Sequence, residues 1–102
     1  MQQVIDKTKS YIGFAIKSNS ILFGSDNIEK KHKKNMLIIL CSSVNEKVKN
    51  NMLKIGAPTV VLKNNVLLSQ LVERANVKVI ALTNENLSNA VLNYSELFEK
   101  LN

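Results

Sequence analysis

Residues 36–41, Met-Leu-Ile-Ile-Leu-Cys, form a continuous apolar run with polar residues on both sides. A short run of this kind is typical of a β-strand that is covered on both faces. The run therefore predicts the central strand of a sheet. Residues 3–19 and 44–55 carry apolar side chains at helical spacing, so the chain is expected to place helices between its strands.

The same kind of evidence predicts the remaining elements. Further strands are expected at residues 20–23, 59–62 and 77–82, and further helices at residues 26–34, 66–75 and 84–91, followed by a helical turn at 97–101. Asp26 and Glu29 have the spacing of a capping box, and Ser43 is a candidate N-cap. This alternation predicts an α/β fold, namely a three-layer α/β/α sandwich around a four-stranded, mixed and mostly parallel sheet.

Length and composition limit the class of protein. The chain has 102 residues, of which 45% are hydrophobic, and this suits a single domain over residues 1–102. No apolar run approaches the roughly 20 residues that a membrane-spanning helix needs. The first ten residues lack the basic and apolar regions of a signal peptide. A single cysteine, Cys41, cannot form an internal disulfide, which suits a reducing compartment. From these three observations we expect a cytoplasmic protein with no membrane partner.

The net charge and the absence of catalytic motifs together favour a binding protein over an enzyme. The net charge is +6, which suits a polyanionic partner, although lysine-rich surfaces also serve solubility. The sequence contains no dinucleotide-binding glycine motif, no P-loop and no nucleophile-elbow motif. His32 stands alone between lysines, and Cys41 is most simply a small buried hydrophobic residue. We therefore expect no catalytic residue, no metal and no cofactor.

Three separated stretches of the chain have the order and spacing of one protein family. They are residues 12–17 with 21–24, residues 37–41 with 58–61, and residues 79–84. Together they resemble the ribosomal-protein family L-seven-Ae, whose members bind kink-turn RNA, and in particular its small bacterial members of the YlxQ type. The resemblance covers approximately residues 10–92 and implies a single L-seven-Ae-like RNA-binding domain.

The resemblance also implies a binding site. In this family the loop after the first strand and the start of the next helix grip the RNA, and a loop before the last strand supports an unstacked nucleotide. Gly24 and Lys30 match the family motif, whereas Asp26 and Asn27 depart from it. The implied RNA-binding residues are Gly24, Ser25, Asp26, Asn27, Lys30, Lys31, Lys33 and Lys34 from the first region and Arg74, Ala75, Asn76 and Val77 from the second.

Two functional hypotheses follow. The first is a small non-catalytic RNA-binding protein whose partner is a kink-turn or ribosomal RNA, either free or within the ribosome or another ribonucleoprotein. A helix start after a glycine supports it, because unpaired N–H groups and nearby lysines suit phosphate. The second is a protein-interaction module on the same fold that has lost RNA readout, which the departures at Asp26 and Asn27 permit. Under this second hypothesis Asp26 and Glu29 are only a helix cap.

Overall fold

A computed structural model describes residues 2–32, 36–63 and 66–102 of the chain. The helices are α1 (Gln2–Lys17), α2 (Ser25–Lys31), α3 (Glu46–Lys54), α4 (Leu68–Val72) and α5 (Glu85–Leu92), and the strands are β1 (Ile21–Phe23), β2 (Leu37–Leu40), β3 (Thr59–Leu62), β4 (Val79–Leu82) and β5 (Phe98–Lys100). The predicted α/β class is confirmed, but the sheet has five strands where four were expected.

The strands form one mixed sheet in the order β1-β4-β2-β3-β5. Only the β2–β3 pair among these strands is parallel, with Ile38 opposite Thr59. The β1–β4, β2–β4 and β3–β5 pairs are antiparallel. A mixed sheet was correctly predicted, whereas a mostly parallel one is wrong. The reason is that β4 lies between β1 and β2 and runs opposite to both.

The fifth strand replaces the helical turn expected at residues 97–101. A single 3-10 turn, Ser95–Leu97, leads directly into β5, which pairs with the outer edge of β3. Phe98 is buried, whereas Glu99 and Lys100 are exposed. The Asn102 side chain extends this pairing, since it accepts from the Thr59 N–H at 3.0 Å and donates to the Ala57 carbonyl at 2.9 Å.

The apolar run at 36–41 is buried along its whole length, as predicted, and its side chains alternate between two hydrophobic clusters. Leu37, Ile39 and Cys41 join one cluster with residues of α1, α4 and α5. Met36, Ile38 and Leu40 join the other with Ile28 of α2 and Met52 of α3. Burying each such large aliphatic side chain contributes about 1.5–3 kcal/mol, so β2 is a main source of stability for both clusters.

Two of the predicted helix starts are wrong. Gly24 is the N-cap of α2 and no side chain caps that helix, so the capping box of Asp26 and Glu29 does not form. Asn45, not Ser43, caps α3, and its side chain accepts from the Val48 N–H at 2.8 Å. Asn has a side-chain oxygen at the right reach for this bond, and Ser43 lies too far upstream.

The remaining helix boundaries are partly as predicted. Asn84 caps α5, and its side chain accepts from the Leu87 N–H at 3.0 Å. Helix α4 ends at Val72, three residues earlier than predicted, because Glu73 adopts the left-handed conformation with φ of 56°. Residues 33–34 of the predicted helix 26–34 lie outside the described part of the chain. No helix within the described ranges has the length and hydrophobicity that crossing a membrane requires.

Candidate nucleic-acid interface

A groove opens where the carboxyl ends of β1 and β2 meet the amino end of β4. Its volume is about 370 Å³, and it is lined by Phe23, Gly24, Ser25, Val44, Asn45, Val48, Asn76, Val77, Lys78 and Val79. Four of the twelve residues of the predicted RNA site line it: Gly24, Ser25, Asn76 and Val77. The structure thus brings together parts of two predicted contact regions that lie about fifty residues apart in sequence.

Gly24 gives the groove its turn between β1 and α2. Its φ of 86° and ψ of 147° lie in a region that only glycine adopts without strain. Its N–H donates to the Val79 carbonyl at 3.2 Å, which links the two sides of the groove. A Cβ atom at this position would meet no atom within 4 Å, so the glycine is required by backbone conformation and not by lack of space.

The opposite side of the groove is a tight turn between α4 and β4. Glu73 and Asn76 both adopt left-handed conformations there, with φ of 56° and 63°. Asparagine tolerates this conformation better than most residues because its short side chain bonds locally. The turn exposes Ala75 and Asn76 and leaves Val77 half-buried. An exposed amide therefore lies beside an apolar side chain in the groove.

Arg74 is held beside this groove by an aromatic ring. Its guanidinium carbon lies 4.1 Å from the centroid of the Phe23 ring, in cation–π geometry. Phe23 is half-buried and lines the groove, whereas Arg74 is exposed. The cation is therefore fixed at a defined place and still accessible to a ligand.

Of the predicted residues on α2, Ser25 lines the groove, and those that follow it lie outside the groove lining. Asp26, Asn27, Lys30 and Lys31 are all exposed. The Asn27 amide donates to the Phe23 carbonyl at 2.9 Å, so part of its hydrogen-bonding capacity is used within the protein. Asp26 lies in the first turn of α2, where a carboxylate interacts favourably with the helix dipole. The predicted residues Lys33 and Lys34 lie outside the described residues.

Several groove residues were not predicted. The first turn of α3 and the loop before it contribute Val44, Asn45 and Val48. Lys78 is the residue that precedes β4. The sequence gives no local signal for them, because their position depends on how α3 packs on the sheet. Lys78 carries the one formal charge among the described residues that line the groove. A groove with a lysine and no carboxylate suits an anionic ligand.

A short polar chain connects Lys78 to the end of β2. The Lys78 ammonium donates to the Ser43 hydroxyl at 2.7 Å, and that hydroxyl lies 3.3 Å from the Cys41 sulfur. Burial raises the pKa of the Cys41 thiol, but hydrogen bonds from the backbone at Leu68 and from Ser43, together with the charge of Lys78, outweigh burial and hold it below its ordinary value. Cys41 itself is 1% exposed, so a ligand in the groove meets Lys78 and not the thiol.

The structure brings no metal-binding group together in residues 2–32, 36–63 and 66–102. No three side chains among His, Cys, Asp and Glu are clustered there in a way that could hold an ion. The His32 ring nitrogen Nδ1 lies 3.0 Å from the Glu29 carbonyl oxygen, at the end of α2. His32 is thus bonded to its own helix.

Comparison of the sequence with models of known families and with characterised proteins gives no significant match.

Proposed function

We propose that this chain is a small, non-catalytic RNA-binding protein of the L-seven-Ae type, and that its groove binds an unstacked nucleotide of a structured RNA. The partner RNA is of the kink-turn or ribosomal class. The same proposal includes a three-layer α/β/α arrangement, which the division of β2 side chains between two hydrophobic clusters supports.

The observation that carries this proposal is the convergence of residues 24–25 and 76–77 on one groove. The resemblance implies that both segments contact RNA, and a shared groove is what such a site requires. A Gly24 turn on one side and an Asn76–Val77 turn on the other are suitable for a splayed nucleotide. Glycine lets the backbone approach a sugar or phosphate, and the short apolar side chain can lie against a base.

The charge around the groove fits a phosphate backbone. Lys78 lines the groove and Arg74 lies next to it on the Phe23 ring. Lysine and arginine at such positions contribute affinity that does not depend on base sequence. Phe23 is engaged by Arg74 and half-buried, so we expect recognition by shape and charge, with no stack of several bases on aromatic rings.

The test is a titration of the protein against a kink-turn duplex and a straight duplex of equal length at low salt. We expect tighter binding to the kinked RNA. The log-log dependence of affinity on salt should reflect about 3 to 5 neutralised phosphates. Equal affinity for both duplexes would reduce the site to a non-specific basic surface. No binding to either RNA would overturn the proposal and favour the protein-interaction module.

A further inference from the structure

We propose that the exposed side of α3 is a second RNA-contact surface, on which Lys47 and Lys54 bind the phosphates of a stem next to the nucleotide in the groove. This inference rests on the proposed function and extends it to a part of the chain that was not among the predicted site residues. It assigns to α3 the recognition of a double-stranded segment by charge and position.

The first observation is that the groove continues onto α3. Val44, Asn45 and Val48, from the start of α3 and the loop before it, form one side of the groove. Lys47 belongs to the same helical turn as Val48 and is exposed. An RNA strand that leaves the groove on this side therefore meets the outer surface of α3 next.

The second observation is the arrangement of side chains around α3. Met52 is fully buried against the sheet, and Val48 and Ile55 pack on the same cluster. Lys47 and Lys54 are seven residues apart, which is two helical turns or about 10.5 Å along the axis. Both are exposed, and exposed Asn50 lies between them. Two cations and an amide thus form one line on the solvent side of the helix.

The third observation is that this surface has an excess of positive charge. Helix α2 packs against α3 and adds Lys30 and Lys31 to the same side of the sheet. The two helices together carry five lysines and three acidic residues: Lys30, Lys31, Lys47, Lys49 and Lys54 against Asp26, Glu29 and Glu46. The two helices therefore carry a net charge of +2, and the ion pair between Lys9 and Glu73 involves none of these lysines.

A lysine-rich helix surface can also serve solubility alone, and α1 provides the matched control for that alternative. Lys7 and Lys17 are exposed on α1, as Lys47 and Lys54 are on α3. Helix α1 packs on the cluster of Leu37 and Ile39, whereas α3 packs on the cluster of Ile38 and Leu40, so the two lysine pairs lie on opposite sides of the sheet. A general charge effect must act equally through both pairs.

The experiment compares the double variants K47Q/K54Q and K7Q/K17Q with the wild-type protein. Glutamine has nearly the same helix propensity as lysine, so both variants should fold, which circular dichroism and the thermal midpoint can check. The RNA is a kink-turn duplex with two long stems, together with two versions in which one stem or the other is cut back to the kink.

We expect K47Q/K54Q to weaken binding to the full RNA about tenfold near 100 mM salt and to lower the log-log salt slope by about 2. K7Q/K17Q should change affinity less than about threefold. One of the two truncated RNAs should bind wild type and K47Q/K54Q equally, since it lacks the stem that α3 contacts.

Each alternative outcome overturns the inference in a distinct way. Equal losses in the two double variants would mean that only net charge matters. A K47Q/K54Q protein that binds like wild type would remove α3 from the interface while leaving the groove and the proposed function intact. A wild-type protein that binds no RNA would overturn both.

Discussion

The Arg74 guanidinium lies 4.1 Å above the Phe23 ring and so joins the turn after α4 to the end of β1. The two residues are fifty-one positions apart, and their contact joins the second predicted contact region to the residue just before the first. An exposed cation–π contact of this kind stabilises by about 0.5–1 kcal/mol. Its larger effect is to restrict where the guanidinium can be.

Replacing Arg74 with alanine should therefore weaken RNA binding more than it weakens folding. We expect the log-log salt slope to fall by about 1, with a loss of at most about 1 kcal/mol in the free energy of unfolding. Phe23→Leu is the companion variant, because it keeps the charge and removes the ring. It should reduce affinity with little change in slope. If Arg74→Ala binds RNA with an unchanged slope, Arg74 does not contact phosphate.

Gly24 and Gly56 allow a paired test, because both have φ of 86° and neither would meet an atom within 4 Å if a Cβ were added. Gly24→Ala and Gly56→Ala should each cost about 1–3 kcal/mol of unfolding free energy for backbone strain. Only Gly24 lines the groove, since Gly56 follows the far end of α3. RNA affinity, measured below the unfolding transition, should fall only in Gly24→Ala. A similar loss in both variants would trace the effect to reduced stability.

Asn76 can be tested without disturbing its backbone. Asn76→Gly keeps the left-handed conformation available, so the free energy of unfolding should change by less than about 1 kcal/mol. If the exposed amide bonds to RNA, its loss should weaken binding about two- to tenfold, as expected for one hydrogen bond. Asn19→Gly is the control, because Asn19 is also left-handed and exposed but precedes β1, at the end away from the groove. Equal effects from the two variants would exclude the Asn76 amide.

Asp26 is the carboxylate of the predicted site, and its removal should improve RNA binding. Asp26→Asn removes a charge that repels phosphate, so affinity should rise a few-fold at low salt and the gain should fade as salt increases. The loss of a favourable helix-dipole contact should cost less than about 1 kcal/mol.

Glu85→Gln provides the control for Asp26→Asn. Glu85 is also an exposed acid in the first turn of a helix, but it lies beside Met36 and Pro58, outside the groove lining. We expect a similar change in the thermal midpoint and no change in RNA affinity. An unchanged affinity in Asp26→Asn would place Asp26 outside the interface.

The elements that the sequence predicts well are those with a dense local pattern. The run 36–41 is apolar at every position, and this leaves few alternatives to a buried strand. The direction of a strand cannot be predicted from its apolar pattern, because β4 would have the same apolar residues in either orientation. Phe98 and Leu101 are three residues apart, as on a helix, yet the free edge of β3 draws residues 98–100 into the sheet. Tertiary pairing overrides local spacing there.

The candidate site also contains residues that the sequence can predict and residues that it cannot. Gly24 and Asn76 can be selected from sequence because turns favour these residue types. Val44, Asn45 and Lys78 could not be selected, because they meet Gly24 only through the order β1-β4-β2 in the sheet and the packing of α3. The groove is formed by backbone turns, by Ser25 at the start of α2 and by the start of α3, while the predicted lysines of α2 that the structure describes, Lys30 and Lys31, lie outside its lining.

The hydrogen bond from the Gly24 N–H to the Val79 carbonyl has a consequence for the order of events in binding. Because this bond continues the β1–β4 pairing, we expect the Gly24 turn to move together with the start of β4 and not independently of the sheet. Under the proposed function, we therefore expect the conformational change on binding to occur mainly in the RNA. An RNA in which a nucleotide is already unstacked in part of the free population would associate quickly. A regular duplex would first have to unstack a nucleotide spontaneously.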